Sequence, residues 1–376
     1  MSAAAAVAGA RAGAPAPRVE VLHAPDDRWL ANERARLAAG LSVPLPHRHA
    51  WAVERRPTRS VLVALDDAAG RPLGAAVVEL AASRALPGFR IGRVERLGAS
   101  GLPSHVPALA AALRDTAHAL PRLLRLHAEV VTREPAVAAA WADALAAAGF
   151  RPAATPRIYD RTLVLDLAPG EDALLRGFSK STRRDVRVTE RLPLAVRPID
   201  DPALAPRLHA LMAESFARTG AAYVPVDWPG IMAFSARHPA LSRLVGLFHV
   251  ERTGPEALLG LAWSGHHGDH AHYDAGASTR HTDVKAGIAY PLLWDVVRWA
   301  AAHGARWFDF GGVTRGSVAS DDALGGISDF KRAFTKDVVR VGQEWVYEPS
   351  TLLARTAESL GGLARRVARL RGAAAP

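Results

Sequence analysis

The chain has 376 residues, room for two ordinary cores, and 49% of them are hydrophobic, which excludes a wholly disordered protein. Lys and Arg outnumber Asp and Glu by 47 to 37, and the net charge of +10 favours anionic partners such as nucleic acid, phosphorylated molecules or an acidic membrane face. The absence of cysteine excludes disulfides, thiol nucleophiles, iron–sulfur clusters and Cys-type zinc sites.

No apolar run approaches the roughly 20 residues of a membrane span. The N-terminal stretch lacks the leucine-rich core and basic start of a signal peptide, so the expected compartment is the cytoplasm. Residues 1–17 are rich in Ala, Gly and Pro and are expected to be a disordered tail. A strand is expected in VEVLHA, then a helix opened by Asp and closed by Gly40. The alternating runs around Gly70 and Pro72 read as a hairpin, and PHRHAW at 46–51 as a candidate acceptor-binding loop. A helix capped by Ser104, the strand LLRLHAEVV, the helix EPAVAAAWADALAAAGF and the strand IYDRTLVLDL complete the first half.

Residues 171–191 read as one basic helix. Arg176, Lys180, Arg184, Arg187 and Arg191 follow helical spacing, and with Arg183 they form a charged stripe suited to a diphosphate or to the backbone of tRNA. The earlier pattern then returns: a helix over APRLHALMAESFARTG, three antiparallel strands, a strong amphipathic helix over GIAYPLLWDVVRWAAAHG, the strand ARWFDFGG and a last strand QEWVYEP. The order helix, hairpin, strand, helix, strand thus occurs twice. The expected fold is α+β, in two tandem copies with mixed, mainly antiparallel sheets flanked by helices. The expected boundaries are 1–17 for the tail, 18–170 for the first domain, 171–192 for the basic linking helix, 193–349 for the second domain with the site, and 350–376 for a basic amphipathic helix and tail.

Several residues in the second half could carry chemistry. Gly287 opens a helix whose free N–H groups could cradle an anion. Gly311 and Gly312 allow a tight turn at a strand end. His266, His267, His270 and His272, with Asp269 or Asp274, are candidate metal ligands, but they lie mostly at a hairpin turn and no metal is expected. There is neither a G-x-S-x-G elbow nor a Walker loop.

The segment from Tyr273 to Phe310 resembles the GNAT acyltransferase superfamily, in which a strand–loop–helix with Arg/Gln-x-x-Gly-x-Gly/Ala grips the pyrophosphate of coenzyme A. Gly287 and Ala289 match that pattern, Val284 stands at the Arg/Gln position, and Lys285 lies beside it. The resemblance implies that Lys285, Gly287, Ala289 and Tyr290 bind the donor. Three further stretches, FSKSTRRDVRVTER, RWFDFGGVTRG and GGISDFKRAF, resemble the Fem-type family, the peptidoglycan-bridge aminoacyltransferases built from tandem GNAT-like domains. Thr335 stands where that family usually has Gly.

That resemblance implies an acyltransferase acting on an amine acceptor, with Lys331, Asp309 and Phe330 at the transfer site. Lys180, Arg183, Arg184, Arg187, Gly311 and Gly312 would hold the substrate. No tightly bound cofactor is expected; the donor is an aminoacyl-tRNA or an acyl-CoA, and the acceptor a nucleotide- or lipid-linked muropeptide. An acyl-CoA-dependent enzyme for a surface polysaccharide or small metabolite, and a non-catalytic binding module, are the alternatives. The basic C-terminal helix suits peripheral contact with the inner membrane face, and no stable protein partner is expected.

Overall fold

The computed structural model describes residues 17–359, apart from 56–58, 100–102, 219, 221, 317–324, 355 and 358. The expected N-terminal tail falls outside them but for its last residue, as does the expected C-terminal helix from residue 360 on.

The first repeat runs β1 Arg18–Leu22, α1 Asp27–Ala38, α2 His49–Arg55, β2 Ser60–Asp66, β3 Pro72–Ala82, β4 Arg90–Val94, α3 Val106–Ala119, β5 Leu123–Val131, α4 Pro135–Ala147 and β6 Arg151–Pro152. Then come β7 Arg161–Asp166, α5 Glu171–Gly177 and α6 Lys180–Val186. The second repeat runs β8 Leu194–Pro198, α7 Ala205–Ala217, α8 Trp228–Arg237, β9 Ser242–His249, β10 Leu258–His266, β11 His270–Ser278, α9 Ala289–Ala302, β12 Trp307–Gly312 and α10 Gly325–Arg332. Two short strands, β13 Val338–Arg340 and β14 Gly342–Tyr347, follow.

Local chemistry explains most of the boundaries. The Asp26 carboxylate accepts from the backbone N–H groups of Arg28 and Trp29 and so opens α1. Pro107 sits in the first turn of α3, whose start has no side-chain cap, so Ser104 does not play the expected part. In α9, Leu292, Leu293, Val296, Val297 and Ala300 form the buried stripe, and Gly304, at φ +85°, takes the left-handed turn that ends it.

The strands form two seven-stranded sheets, β1-β2-β3-β4-β5-β14-β6 and β13-β7-β12-β11-β10-β9-β8. Each has one parallel pair, β4 with β5 and β11 with β12, with α3 or α9 as the crossover; the other pairs are antiparallel. The expected α+β duplication is therefore present, with β1 to β5 corresponding to β8 to β12 in order. The sheet memberships correct the expected boundaries at two places. β7, assigned to the first domain, pairs with β12 and β13; β14, assigned to the second, pairs with β5 and β6. Each strand satisfies the N–H and C=O row beside the parallel pair of the other repeat.

The two repeats also pack directly. The Leu45 N–H donates to His267 Nδ1 at 3.3 Å, and the Trp51 ring lies 5.0 Å from that of Phe234 and 6.4 Å from that of Trp263. The segment 46–51 is thus a packed seam between repeats and not the open acceptor loop that was expected. Among the described residues, no helix is long and apolar enough to cross a membrane.

Candidate functional site

The site exists because two parallel strands part. β11 pairs with β12 only over His270–Trp307, Ala271–Phe308 and His272–Asp309, yet β11 continues to Ser278. Beyond that point a cavity of about 910 Å³ opens, floored by the diverging strands and walled by the start of α9 and by α10.

Eight of the residues singled out from sequence line this cavity together: Lys331, Phe330, Gly311, Gly312, Lys285, Gly287, Ala289 and Tyr290. The Tyr290 ring packs edge-on against Phe330 at 5.0 Å and stacks on Phe334 at 5.6 Å, which joins the start of α9 to α10. Gly287 is required for this approach, since a Cβ there would meet Tyr290 Cδ2 at 2.5 Å. The same hypothetical Cβ would lie 3.4 Å from Asp185 Cβ, so an acidic residue of α6 stands beside the helix start.

Lys331 lies in the last turn of α10. It is 7% exposed, and its Nζ donates to the Gly312 carbonyl at 2.8 Å. Burial pulls the ammonium from its ordinary 10.5 down to about 8, against a partial upward pull from Asp309. A cation so placed can stabilise negative charge developing on a carbonyl oxygen.

Gly311, at φ +77°, makes the turn that the sequence suggested. A Cβ there would lie 3.4 Å from both His272 Nε2 and Lys331 Nζ, so these two nitrogens flank it. Gly311→Ala is expected to cost about 1–2 kcal/mol in a urea melt through its left-handed backbone. An unchanged midpoint would contradict the strain assigned to this turn.

Asp309 does not touch the cavity. It is 0% exposed. Oδ1 accepts from the Thr162 hydroxyl and, at 2.7 Å, from the Gly311 N–H; Oδ2 accepts from the Tyr159 hydroxyl at 2.9 Å. Burial alone would raise this carboxyl, but the neighbouring His272 ring, the Arg96 guanidinium and the bonds from Thr162 and Gly311 hold it below the usual carboxylate range. Asp309 therefore braces the glycine turn from beneath: of the two readings its place at the strand end allowed, the structure shows the bond to a loop N–H, and no face of it is open for direct contact with a substrate.

The basic residues are likewise not where the helical spacing put them. The chain breaks at Phe178, and Ser179 caps a new helix by accepting from the Thr182 N–H. The expected stripe is lost in that break. Arg183 donates to the carbonyls of Arg176 and Phe178, Arg191 donates to that of Arg184, and Arg184 pairs with Asp185 at 3.1 Å. Lys180, Arg183, Arg184 and Arg187 lie outside the cavity lining.

Tyr159 carries no signal of its own in the sequence, and the pattern around His272 and Asp274 suggests only metal ligands. All three line the cavity. Ligand atoms of His267, His272 and Asp274 lie within 4.8 Å of one another. Their lone pairs are largely committed, however. His272 Nδ1 bonds Asp274 Oδ1 at 2.8 Å, His272 Nε2 bonds the Tyr159 hydroxyl at 2.8 Å, and His267 Nδ1 takes the Leu45 N–H. A cation would have to displace these bonds. Arg96, buried and reaching in from the first repeat, contacts His270 Nε2 at 3.1 Å; burial opposes its charge, and Tyr159, Asp274 and Asp309 more than restore it.

Residues 176–332 match the model of the acetyltransferase (GNAT) domain family. The structure of FemX is 16% identical, with a TM-score of 0.65 over 88% of this chain and 97% of that one. The structure of L-PGS from Bacillus licheniformis is 14% identical, with a TM-score of 0.50 over 93% of this chain and 99% of that one. At these identities the likeness is one of fold. No curated protein matches the chain.

Proposed function

We propose that this chain, a Fem-like protein of the GNAT superfamily, transfers an acyl group to an amine, the donor being an aminoacyl-tRNA and the acceptor a peptidoglycan precursor. The observation that carries this reading is the meeting of Lys331, the Gly311–Gly312 turn and the start of α9 in one cavity. An acyl carbonyl lying along the turn would direct its oxygen to Lys331 Nζ, with the rest of the donor extending toward α9. The cation then stabilises the oxyanion formed when the amine attacks.

Two features support a tRNA ester over coenzyme A as donor. Val284 stands at the Arg/Gln position of the coenzyme A pattern ahead of Gly287, so the pyrophosphate cradle lacks that side chain. In addition, the side chains of Arg184 and Arg187 are 62% and 53% exposed outside the cavity, where an RNA backbone could extend. The GNAT domain match itself favours the second reading, an acyl-CoA-dependent transfer to an amine or hydroxyl.

Thermal-shift measurements with acetyl-CoA, alanyl-tRNA and a UDP-linked muropeptide, paired with a radiolabel transfer assay, separate the readings. Charged tRNA and the muropeptide are expected to raise Tm and to give transfer. Stabilisation and turnover with acetyl-CoA alone would replace the tRNA donor with the thioester. If no compound shifts Tm and no label moves, the reading as a non-catalytic binding module gains.

A further inference from the structure

We infer that Tyr159, His272 and Asp274 form a proton relay that takes up the proton the acceptor amine loses during transfer. The inference rests on the acyl-transfer reading above, because it supplies the one component that reading lacks. Lys331 can stabilise an oxyanion, but its ammonium has no lone pair with which to receive a proton. Asp309 has one, but it is sealed under the floor.

The parallel register sets His272 directly beside Asp309. Tyr159, just ahead of β7, reaches the same point because β7 crosses into the second sheet and pairs with β12. Its hydroxyl oxygen lies 2.8 Å from His272 Nε2 and 2.9 Å from Asp309 Oδ2. The Tyr159 hydroxyl has a single hydrogen and two acceptors in reach. When it points to Nε2, His272 is neutral and its Nδ1–H donates to Asp274. When His272 holds an extra proton, Nε2–H donates to the tyrosine oxygen, and the hydroxyl hydrogen turns to Asp309, which already stands in place to accept it. Asp274 accepts from Nδ1 in both states and fixes the ring. The network therefore has a prepared arrangement on each side of one proton uptake.

In the transfer step, the amine nitrogen bonds to the acyl carbon. Its proton passes to the Tyr159 oxygen as the tyrosine hydrogen passes to His272 Nε2. The bond from the acyl carbon to the carrier oxygen then breaks, and the imidazolium returns one proton through Tyr159 to the departing oxyanion. No proton is gained or lost overall. Tyr159 is a conduit and not a store, since burial and then the Asp309 carboxylate push its phenol well above its ordinary value. The groups facing the relay are Asp309 from β12, Lys331 from α10, Arg96 from the first repeat, and His267 from the β10–β11 hairpin, whose ring centroid lies 6.3 Å from that of His272. Burial, followed by the charge of Arg96, keeps His267 neutral, so it does not compete for the proton.

The test has an arm that needs no substrate. In protein labelled with ¹⁵N-histidine, the His272 resonances are identified by their loss in His272→Gln. Neutral His272 is expected to carry its hydrogen on Nδ1, and Tyr159→Phe is expected to move the Nε2 resonance alone. A neutral ring with its hydrogen on Nε2 would overturn the relay. So would loss of the Nδ1–H signal at one equivalent of zinc chloride, which would make the cluster a metal site.

The second arm uses alanyl-tRNA or acetyl-CoA with the muropeptide. Tyr159→Phe and His272→Gln are expected to lower kcat by about 10²–10³-fold with KM nearly unchanged. Wild-type kcat in both variants would overturn the relay. If the wild-type protein transfers nothing, the acyl-transfer reading fails, and the tautomer measurement alone decides the hydrogen-bond network.

Discussion

Lys331→Met is expected to remove transfer almost completely while making the protein more stable. The activity loss, about 10²–10³-fold in kcat, is that of deleting one oxyanion-stabilising donor from a dry site. The stability gain follows from the same burial. The wild-type ammonium titrates at about 8 in the fold against an ordinary 10.5. Below pH 8 the fold buries a charge that the unfolded chain leaves in water. Between pH 8 and 10.5 the unfolded chain binds the proton and the fold does not, so wild-type stability rises with pH in that window. Methionine, of similar length and uncharged, should therefore gain about 1–3 kcal/mol in a urea melt at pH 7, shrinking toward pH 10.5. Activity should run the other way, with an alkaline limb near pH 8 in the wild type as the cation is lost. Normal kcat in Lys331→Met, or a destabilised variant, would remove Lys331 from the role assigned to it.

The second large effect is structural. Asp309→Ala should lower stability by about 3–5 kcal/mol, because it leaves buried partners without their counter-charge. Arg96 and Lys331 lose an attraction, and the Thr162 hydroxyl, the Tyr159 hydroxyl and the Gly311 N–H lose an acceptor. Asp309→Asn keeps the shape and should cost less. The depressed carboxyl sets the pH dependence: its contribution is complete above about pH 4, the ordinary carboxylate value, and drains as pH falls through the lower folded value. The gap between wild type and Asp309→Asn should accordingly close in acid. A loss below about 1 kcal/mol for Asp309→Ala would show that the carboxylate is not the brace of the Gly311 turn.

What the sequence revealed, and what it hid, follows from how far each signal reaches along the chain. The apolar runs of β2, β5 and β7, the stripe of α9 and the repeated order of elements are local patterns, and all were legible. The glycines at 287, 311 and 312 also announced themselves, because a residue without Cβ at a strand or helix end marks close approach. The α8 helix was missed because Pro229 and Gly230 look like turn signals, although both sit in a first turn capped by Asp227. The basic helix was overextended because its charge spacing outweighed the Ser179–Thr182 cap that breaks it. Tyr159 was beyond reach for another reason. Its place in the site depends on which sheet β7 joins, and no local pattern encodes a strand's distant partner.

That exchange of β7 and β14 bears on how the chain is made. During synthesis the first repeat emerges through β6 with the row of β5 that awaits β14 still bare. The strand that completes it lies at Gly342–Tyr347. At typical translation speeds it leaves the ribosome roughly 10–40 s later. Until then the open β5 edge can pair with other strands, and the first sheet is complete only once β14 has joined it.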